Sequence, residues 1–130
     1  LISEITKINA ERIIIDSTST FGMALEDEYE VRKELYALAG HLKKFDCTTI
    51  LTSEIVGEAS INHNSAGTMP RFGVEEYIAD SVVTIHYLWP NQKEDLALRI
   101  VKMRRTNHYK GPISFSITPR GIAVTGKLGK

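Results

Sequence analysis

The chain of 130 residues balances 16 basic against 16 acidic side chains, and its hydrophobic content of 42% is typical of a globular protein. A chain of this length makes one domain at most and buries a sizeable core. The neutral balance argues against a surface built mainly to bind nucleic-acid phosphates, although it does not exclude a local basic patch.

Neither a membrane span nor a secretion signal is visible in the sequence. No run of about 18 apolar residues occurs, and Leu1–Ile5 is no signal peptide. The single cysteine, Cys47, can form no disulfide within the chain, which is typical of a reducing compartment. We therefore expect a cytoplasmic protein without a membrane partner. Because the chain begins without Met, inside a predicted helix, we expect its natural N-terminus to lie upstream.

The first strand follows a short helix. Apolar residues recur at helical spacing over residues 1–8, and Arg12–Asp16 then carries three consecutive isoleucines that end at a carboxylate. A short unbroken run of this kind is typical of a strand buried on both faces. It therefore indicates a parallel sheet.

Helix and strand continue to alternate up to residue 88. Apolar residues that step by four and three predict an amphipathic helix: Val31, Leu35, Leu38, Leu42 and Phe45. Cys47–Ser53 predicts a second buried strand, and residues 74–79 and 82–88 predict a short helix and a third strand. Between them, Ile55–Gly73 is irregular and long for a connection inside a domain.

The last third of the chain changes character. Residues 96–104 alternate between apolar and polar, and so do residues 113–118. Thr118–Gly121 predicts a turn that leads into a final strand. The order predicts an α/β fold with a mainly parallel sheet, closed by an antiparallel hairpin at its C-terminal side.

Four segments, in this order, resemble the KaiC family within the RecA-like ATPases: Arg12–Ser17, Leu51–Glu54, Arg71–Asp80 and Val101–His108. The ending, Phe115–Ile122, is similar to the family's closing hairpin. The resemblance implies that residues 1–130 form the C-terminal portion of one RecA-like (P-loop NTPase) domain, closest to the N-terminal ATPase domain of KaiC.

The phosphate-binding loop of such ATPases is absent from the chain, since no G-x-x-x-x-G-K-[ST] occurs. The family's acidic pair that positions the attacking water also lies upstream of this segment. Glu75 and Glu76 open a helix after Gly73, so we interpret them as structural. We expect that these 130 residues alone hydrolyse no ATP.

Asp16 and Ser53 are the candidates at the strand ends. A carboxylate that ends an apolar strand needs a partner, and the resemblance implies a Walker-B acid that holds Mg²⁺ beside the phosphates of ATP. The alternative is a capping role at the following turn. Because ligands of open α/β sheets lie at the carboxyl ends of the strands, we expect Ser53 at the same edge as Asp16. There its hydroxyl either senses the γ-phosphate or forms hydrogen bonds with backbone groups at the strand end.

Lys102 and Arg104 are the candidate cations. Residues two apart share a face of a strand, so these two point together, whereas Val101 and Met103 point the other way into packing. Two converging cations suit a polyphosphate, and the resemblance implies that they act in trans on a neighbour's nucleotide. The alternative is a solvated basic strand end.

The resemblance adds further nucleotide-contacting positions: Met103, Thr106, His108 and Thr118. Two residues depart from the family pattern, since Arg105 replaces a usual Gly and Pro119 stands where the clock domain has an Asp. Glu76 and Tyr77 occupy the positions of the phosphorylated Ser–Thr pair of the second clock domain, so autophosphorylation is not expected there.

The function predicted for the intact protein is ATP binding and hydrolysis with Mg²⁺ in a KaiC-like regulatory homo-oligomer, expected to be a hexamer. One alternative is a RecA/RadA-type ATPase of DNA repair or recombination, in which Ile55–Gly73 would contact DNA. Its single Arg, Arg71, does not favour nucleic acid as a partner. Another alternative is a non-catalytic assembly module without a P-loop, whose unpaired sheet edges would favour association.

Overall fold

The computed structural model describes residues 1–25, 27–56, 69–87 and 96–127. The described residues up to 79 form one compact unit, and those from 80 onward form a second. Within these ranges no helix combines the length and the apolar character that crossing a membrane requires.

The first unit is built around two parallel strands joined by a helix. Its elements, in chain order, are α1 (Ile2–Ile8), β1 (Arg12–Ile15), a 3₁₀ turn (Thr18–Thr20), α2 (Phe21–Ala24), α3 (Glu28–Leu42), β2 (Thr48–Leu51), β3 (Ile55–Val56), β4 (Met69–Pro70) and α4 (Glu75–Ile78). Arg12 lies opposite Thr48 and Ile15 opposite Leu51, so β1 and β2 end together. The parallel pairing predicted for these strands is confirmed.

Helix α3 forms where the apolar spacing predicted it. Asp27 caps its first turn, since Oδ1 accepts from the backbone N–H of Tyr29 at 3.0 Å. The stripe of Val31, Leu35 and Leu42 is buried, which ties the helix to the core of the first unit.

Two apolar clusters form the core of this unit. One joins α3 to α4, and its buried members are Val31, Leu35, Phe72, Val74 and Ile78. The other joins α1 and β1 to the end of α3, and its buried members are Ile5, Ile13 and Leu42. Leu51 packs against both clusters, so the end of β2 is anchored between them.

The prediction that the first two strands are buried on both faces was wrong. Ile13 is buried, but its neighbour Ile14 is 69% exposed, and Ile50 on β2 is 52% exposed. The reason is that the described residues pack apolar groups against one face of the strand pair and leave the other face uncovered.

The second unit is a four-stranded antiparallel sheet in the order β5 (Ser81–Tyr87), β6 (Leu96–Met103), β7 (Ile113–Thr118) and β8 (Gly121–Lys127). The predicted third strand therefore pairs antiparallel with the strand that follows it. The antiparallel part is larger than the single hairpin that the sequence indicated.

The predicted turn between β7 and β8 is confirmed. The Thr118 hydroxyl donates to Gly121 O at 2.8 Å and accepts from the Arg120 backbone N–H at 3.2 Å. Gly121 has φ 109°, a conformation that glycine adopts without steric cost.

A β-bulge interrupts the regular alternation of β6. Val82 pairs with Lys102 whereas Val83 pairs with Ile100, so Val101 is an extra residue on its strand. Val101 is 48% exposed. Its prediction as a residue that points into packing was wrong, because the bulge lies at this position. Met103 is half-buried, as a packing residue should be.

Candidate functional site: two strand ends and a cationic turn

The first part of the candidate site is the shared end of β1 and β2. Asp16 follows β1 and Thr52 follows β2, and the Thr52 hydroxyl donates to Asp16 Oδ1 at 2.5 Å. The backbone continues the ladder, since Thr52 N–H donates to Ile15 O at 3.0 Å and Thr18 N–H donates to Thr52 O at 2.8 Å. Asp16 is exposed, and the peptide bond between Asp16 and Ser17 is cis. As the parallel arrangement predicted, Asp16 and the end of β2 lie at one edge.

The residues directly after Asp16 are polar and buried. Thr18 is fully buried and Ser19 is 5% exposed. Neither hydroxyl has a hydrogen-bond partner within the described part of the chain. Their burial cannot be read from the sequence, since hydroxyl-rich turns after a strand are usually exposed.

Ser53, which follows Thr52 at the end of β2, is held by a hydrogen bond to Glu75. The Ser53 hydroxyl donates to Glu75 Oε1 at 2.9 Å. Glu75 is buried, and its carboxylate also accepts from the backbone N–H of Phe72 at 3.3 Å and of Val74 at 3.0 Å. Gly73 lies between these two amides with φ 66°, a turn that a side chain would strain. The structural interpretation of Glu75 holds, but its bond to Ser53 was missed, because 22 positions separate the two residues.

Arg71, the single Arg of the irregular segment, has a local role. Its Nη1 lies 3.2 Å from Glu54 Oε2, and its guanidinium lies 5.8 Å from the centre of the Phe72 ring. Most of the predicted DNA-contacting segment, residues 57–68, lies outside the described residues.

The second part of the candidate site is the turn after β6. Lys102 is the half-buried partner of Val82 in the sheet. Arg104 lies just beyond the strand, where its backbone N–H donates to Asp80 O at 2.9 Å and its Nη1 donates to Asp80 Oδ1 at 2.8 Å. Asp80 was not among the predicted site residues, because nothing in its spacing marks it as the partner of Arg104.

Arg105 completes this turn. Its φ is 59°, a left-handed backbone conformation that glycine adopts more readily than other residues do. Glycine is the usual residue of the family pattern at this position. Together with Asp80 and Arg104, Arg105 lines a depression of about 340 Å³. Two arginines and one aspartate therefore border the same depression, and within it Arg104 is paired with Asp80.

The remaining predicted contact residues belong to the second unit. Thr106 is exposed, and His108 is half-buried with Nδ1 donating to Tyr109 O at 3.1 Å. Thr118 uses its hydroxyl in the β7–β8 turn described above. The nucleotide-contacting roles of these residues stay predictions.

The strand ends provide few ligands for a metal ion. The described residues contain no group of three or more His, Cys, Asp or Glu side chains placed to hold a cation. Mg²⁺ is usually held in nucleotide sites by one or two carboxylates together with phosphates and waters. A single exposed carboxylate beside a hydroxyl, as at Asp16 and Thr52, fits that ion.

Comparison with known proteins decides the family. The family model described as "ATPase: KaiC" matches residues 1–129. The chain belongs to the KaiC family of ATPases. Circadian clock oscillator proteins KaiC from Prochlorococcus marinus and Synechococcus elongatus are 33% and 34% identical to it over 120 residues, which is 92% of this chain.

The KaiC fold is shared as well. The crystal structure of a KaiC-like protein from Pyrococcus horikoshii aligns with a TM-score of 0.77 and 34% identity over 95% of this chain. The predicted partial RecA-like α/β fold is therefore confirmed. The chain spans half of that structure and only 23% and 22% of the two clock proteins.

Proposed function

We propose that this chain supplies the metal-binding strand end and the trans-acting cations of an ATP-hydrolysing, KaiC-like regulatory ATPase that assembles with copies of itself, six in the expected ring. The P-loop that holds the phosphates would come from elsewhere in the intact protein. These 130 residues alone are proposed to hydrolyse no ATP.

Asp16 is proposed to hold Mg²⁺, usually through water, at the phosphates of ATP. When bound, the ion offsets the charge of the phosphate oxygens as the γ-phosphoryl group is transferred to water. The hydrogen bond from Thr52 orients the carboxylate of Asp16 and leaves its other oxygen for ion-bound water.

Lys102 and Arg104 are proposed to act on the nucleotide of a neighbouring copy. A guanidinium binds phosphate oxygens through a planar fork and an ammonium acts as a point charge, so the pair stabilises charge that spreads in the transition state. Met103, Thr106, His108 and Thr118 are proposed to contact the same nucleotide. Asp80 already orients Arg104 through the two hydrogen bonds described above.

The single observation that carries the proposal is the junction of Asp16 and Thr52 at the ends of two adjacent parallel strands. That edge is where open α/β sheets bind their ligands. Membership in the KaiC ATPase family supports the same assignment.

The test is Asp16→Asn in the intact protein that carries these residues, with Asp46→Asn as the matched control. Asp46 is an exposed aspartate in the turn before β2. Asp16→Asn should lower ATP turnover on the order of 100-fold and raise the Mg²⁺ concentration needed for nucleotide binding. Equal turnover by the two variants would contradict the proposal.

A second candidate function is that of an assembly module. The exposed faces of Ile14 and Ile50 favour it, since apolar residues on a strand pair are normally covered. Sedimentation of the chain over a range of concentrations would test it: association that Ile14→Lys and Ile50→Lys abolish supports this candidate, and a monomer at all concentrations contradicts it. The DNA-repair alternative stays a prediction, because most of the segment on which it depends, residues 57–68, lies outside the described residues.

A further inference from the structure

We infer that Ser53 binds a water molecule as a hydrogen-bond acceptor instead of donating to the γ-phosphate, and that Glu75 is the positioning residue that imposes this role. The inference rests on the proposed function. It assigns Ser53 a chemistry opposite to that of a phosphate sensor.

The direction of the Ser53 hydroxyl follows from its partner. A serine hydroxyl has one proton to donate and two lone pairs that accept. Glu75 Oε1 lies 2.9 Å from the Ser53 oxygen and accepts that proton. A phosphate oxygen is also an acceptor, so it has no proton left to receive from Ser53 while this bond persists.

Glu75 is fixed as an acceptor by its surroundings. Three donors converge on its carboxylate: the Ser53 hydroxyl and the backbone N–H groups of Phe72 and Val74. Because Glu75 is only 8% exposed, breaking this arrangement would leave polar groups without partners in the core.

The hydroxyl of the neighbouring Thr52 is arranged in the same way. Thr52 donates its proton to Asp16 Oδ1. The end of β2 therefore presents two successive hydroxyl oxygens whose protons are committed to carboxylates and whose lone pairs are available to donors. At a nucleotide site the small donor is water, either in the shell of Mg²⁺ or as the nucleophile that attacks the γ-phosphate.

The test compares Ser53→Ala, Ser53→Thr, Glu75→Gln and the matched control Glu76→Gln in the intact protein. Affinities for ADP and for a non-hydrolysable ATP analogue are measured by calorimetry with Mg²⁺ present, alongside kcat and KM. Ser53→Thr keeps the hydroxyl, and Glu76→Gln makes the same charge change one residue away from the Ser53 contact.

The inference predicts that Ser53→Ala lowers kcat about 10-fold while the ratio of the two affinities changes less than about twofold. Glu75→Gln should lower kcat in the same direction, and Ser53→Ala should add little in that background. Ser53→Thr, which keeps the hydroxyl, should retain more turnover than Ser53→Ala, and Glu76→Gln should behave like wild type. A purely structural role would lower thermal stability without this split between kcat and affinity.

A titration with Mg²⁺ distinguishes which of these two water molecules Ser53 binds. A higher Mg²⁺ requirement in Ser53→Ala points to a water of the ion's shell, whereas a low kcat at saturating Mg²⁺ points to the attacking water. Both support an acceptor role.

A selective loss of affinity for the ATP analogue in Ser53→Ala would overturn the inference and leave the proposed function intact. Normal turnover by Asp16→Asn would overturn the proposed function, while the affinity ratio would still decide the role of Ser53. Absence of any nucleotide binding would overturn both.

Discussion

The two parts of the candidate site are held by different means. At the strand ends, a buried carboxylate accepts hydrogen bonds from a side chain and from two backbone amides, so geometry is fixed by groups that would be costly to leave unpaired. At the turn after β6, Arg104 is held by Asp80, and the two side chains are 48% and 63% exposed. Water and salt screen such a pair.

This difference fits the two separate tasks that we propose for the two parts of the site. A group that positions water must keep its direction to within a narrow angle, and burial provides that. A cation that is proposed to meet the phosphates of another copy must stay accessible until the copies assemble, and an exposed ion pair allows it to exchange one anionic partner for another.

The largest effect should come from the core behind the strand ends. Leu35→Ala removes a fully buried side chain, so it should lower the free energy of unfolding by about 2–5 kcal/mol. Ile117→Ala, at a position that is 73% exposed, should change it by no more than about 0.5 kcal/mol. Urea titration of both variants checks this, and a similar loss in the two would refute the assignment of the core.

Next in size is the buried carboxylate. Glu75→Leu leaves the Ser53 hydroxyl and two backbone amides without their acceptor, and should cost about 1–3 kcal/mol of stability. The loss should be the same at low and at high salt, since no exposed charge pair is involved. Glu76→Leu is the control, and an equally large loss there would argue against a special role for Glu75.

The exposed pair should matter less. Asp80→Asn should lower the free energy of unfolding by about 0.2–1 kcal/mol at low ionic strength, after allowance for screening by solvent. The loss should vanish in concentrated NaCl. Thermal melts at two salt concentrations measure it, and a large loss that salt does not reduce would mean that the turn is held as rigidly as the strand ends.

The smallest effect is a pH dependence in the second unit. Burial lowers the pKa of His86 below its ordinary value of 6.5, and Arg99 nearby lowers it further. The unfolded chain therefore takes up the proton more readily than the folded one. The stability associated with neutral His86 is complete above pH 6.5 and declines as the pH falls below that value.

Urea unfolding of the wild type and of His86→Gln at pH 7.5 and 5.5 tests this expectation. The wild type should lose more stability on acidification than the variant does. His41→Gln is the control, because His41 is exposed on α3. An identical loss in the wild type and His86→Gln would show that His86 does not cause the loss of stability in acid.

The sequence predicted the elements better than it predicted their surroundings. Helix α3 and the end of β1 at Asp16 were readable because local periodicity and a terminal carboxylate mark them. The exposure of Ile14 could not be predicted, because a run of isoleucines shows that a strand is apolar but does not show which of its faces is covered. The bulge at Val101 was also unreadable, because an extra residue in a ladder depends on the partner strand.

Partners of the site residues were the least predictable feature. Glu75 and Asp80 reach Ser53 and Arg104 across 22 and 24 positions of the chain. No periodicity spans such distances, so only the folded arrangement reveals these pairs. The family resemblance supplied candidate residues, and the geometry supplied the groups that orient them.

The proposed function requires that Asp16 of one copy and Arg104 of another complete a single ATP site. The most direct test mixes intact Asp16→Ala and Arg104→Ala proteins after dissociation and reassembly. Each variant alone should be nearly inactive, and random reassembly should restore competence to about a quarter of the sites, where an intact Asp16 meets an intact Arg104. A mixture as inactive as its components would contradict the claim.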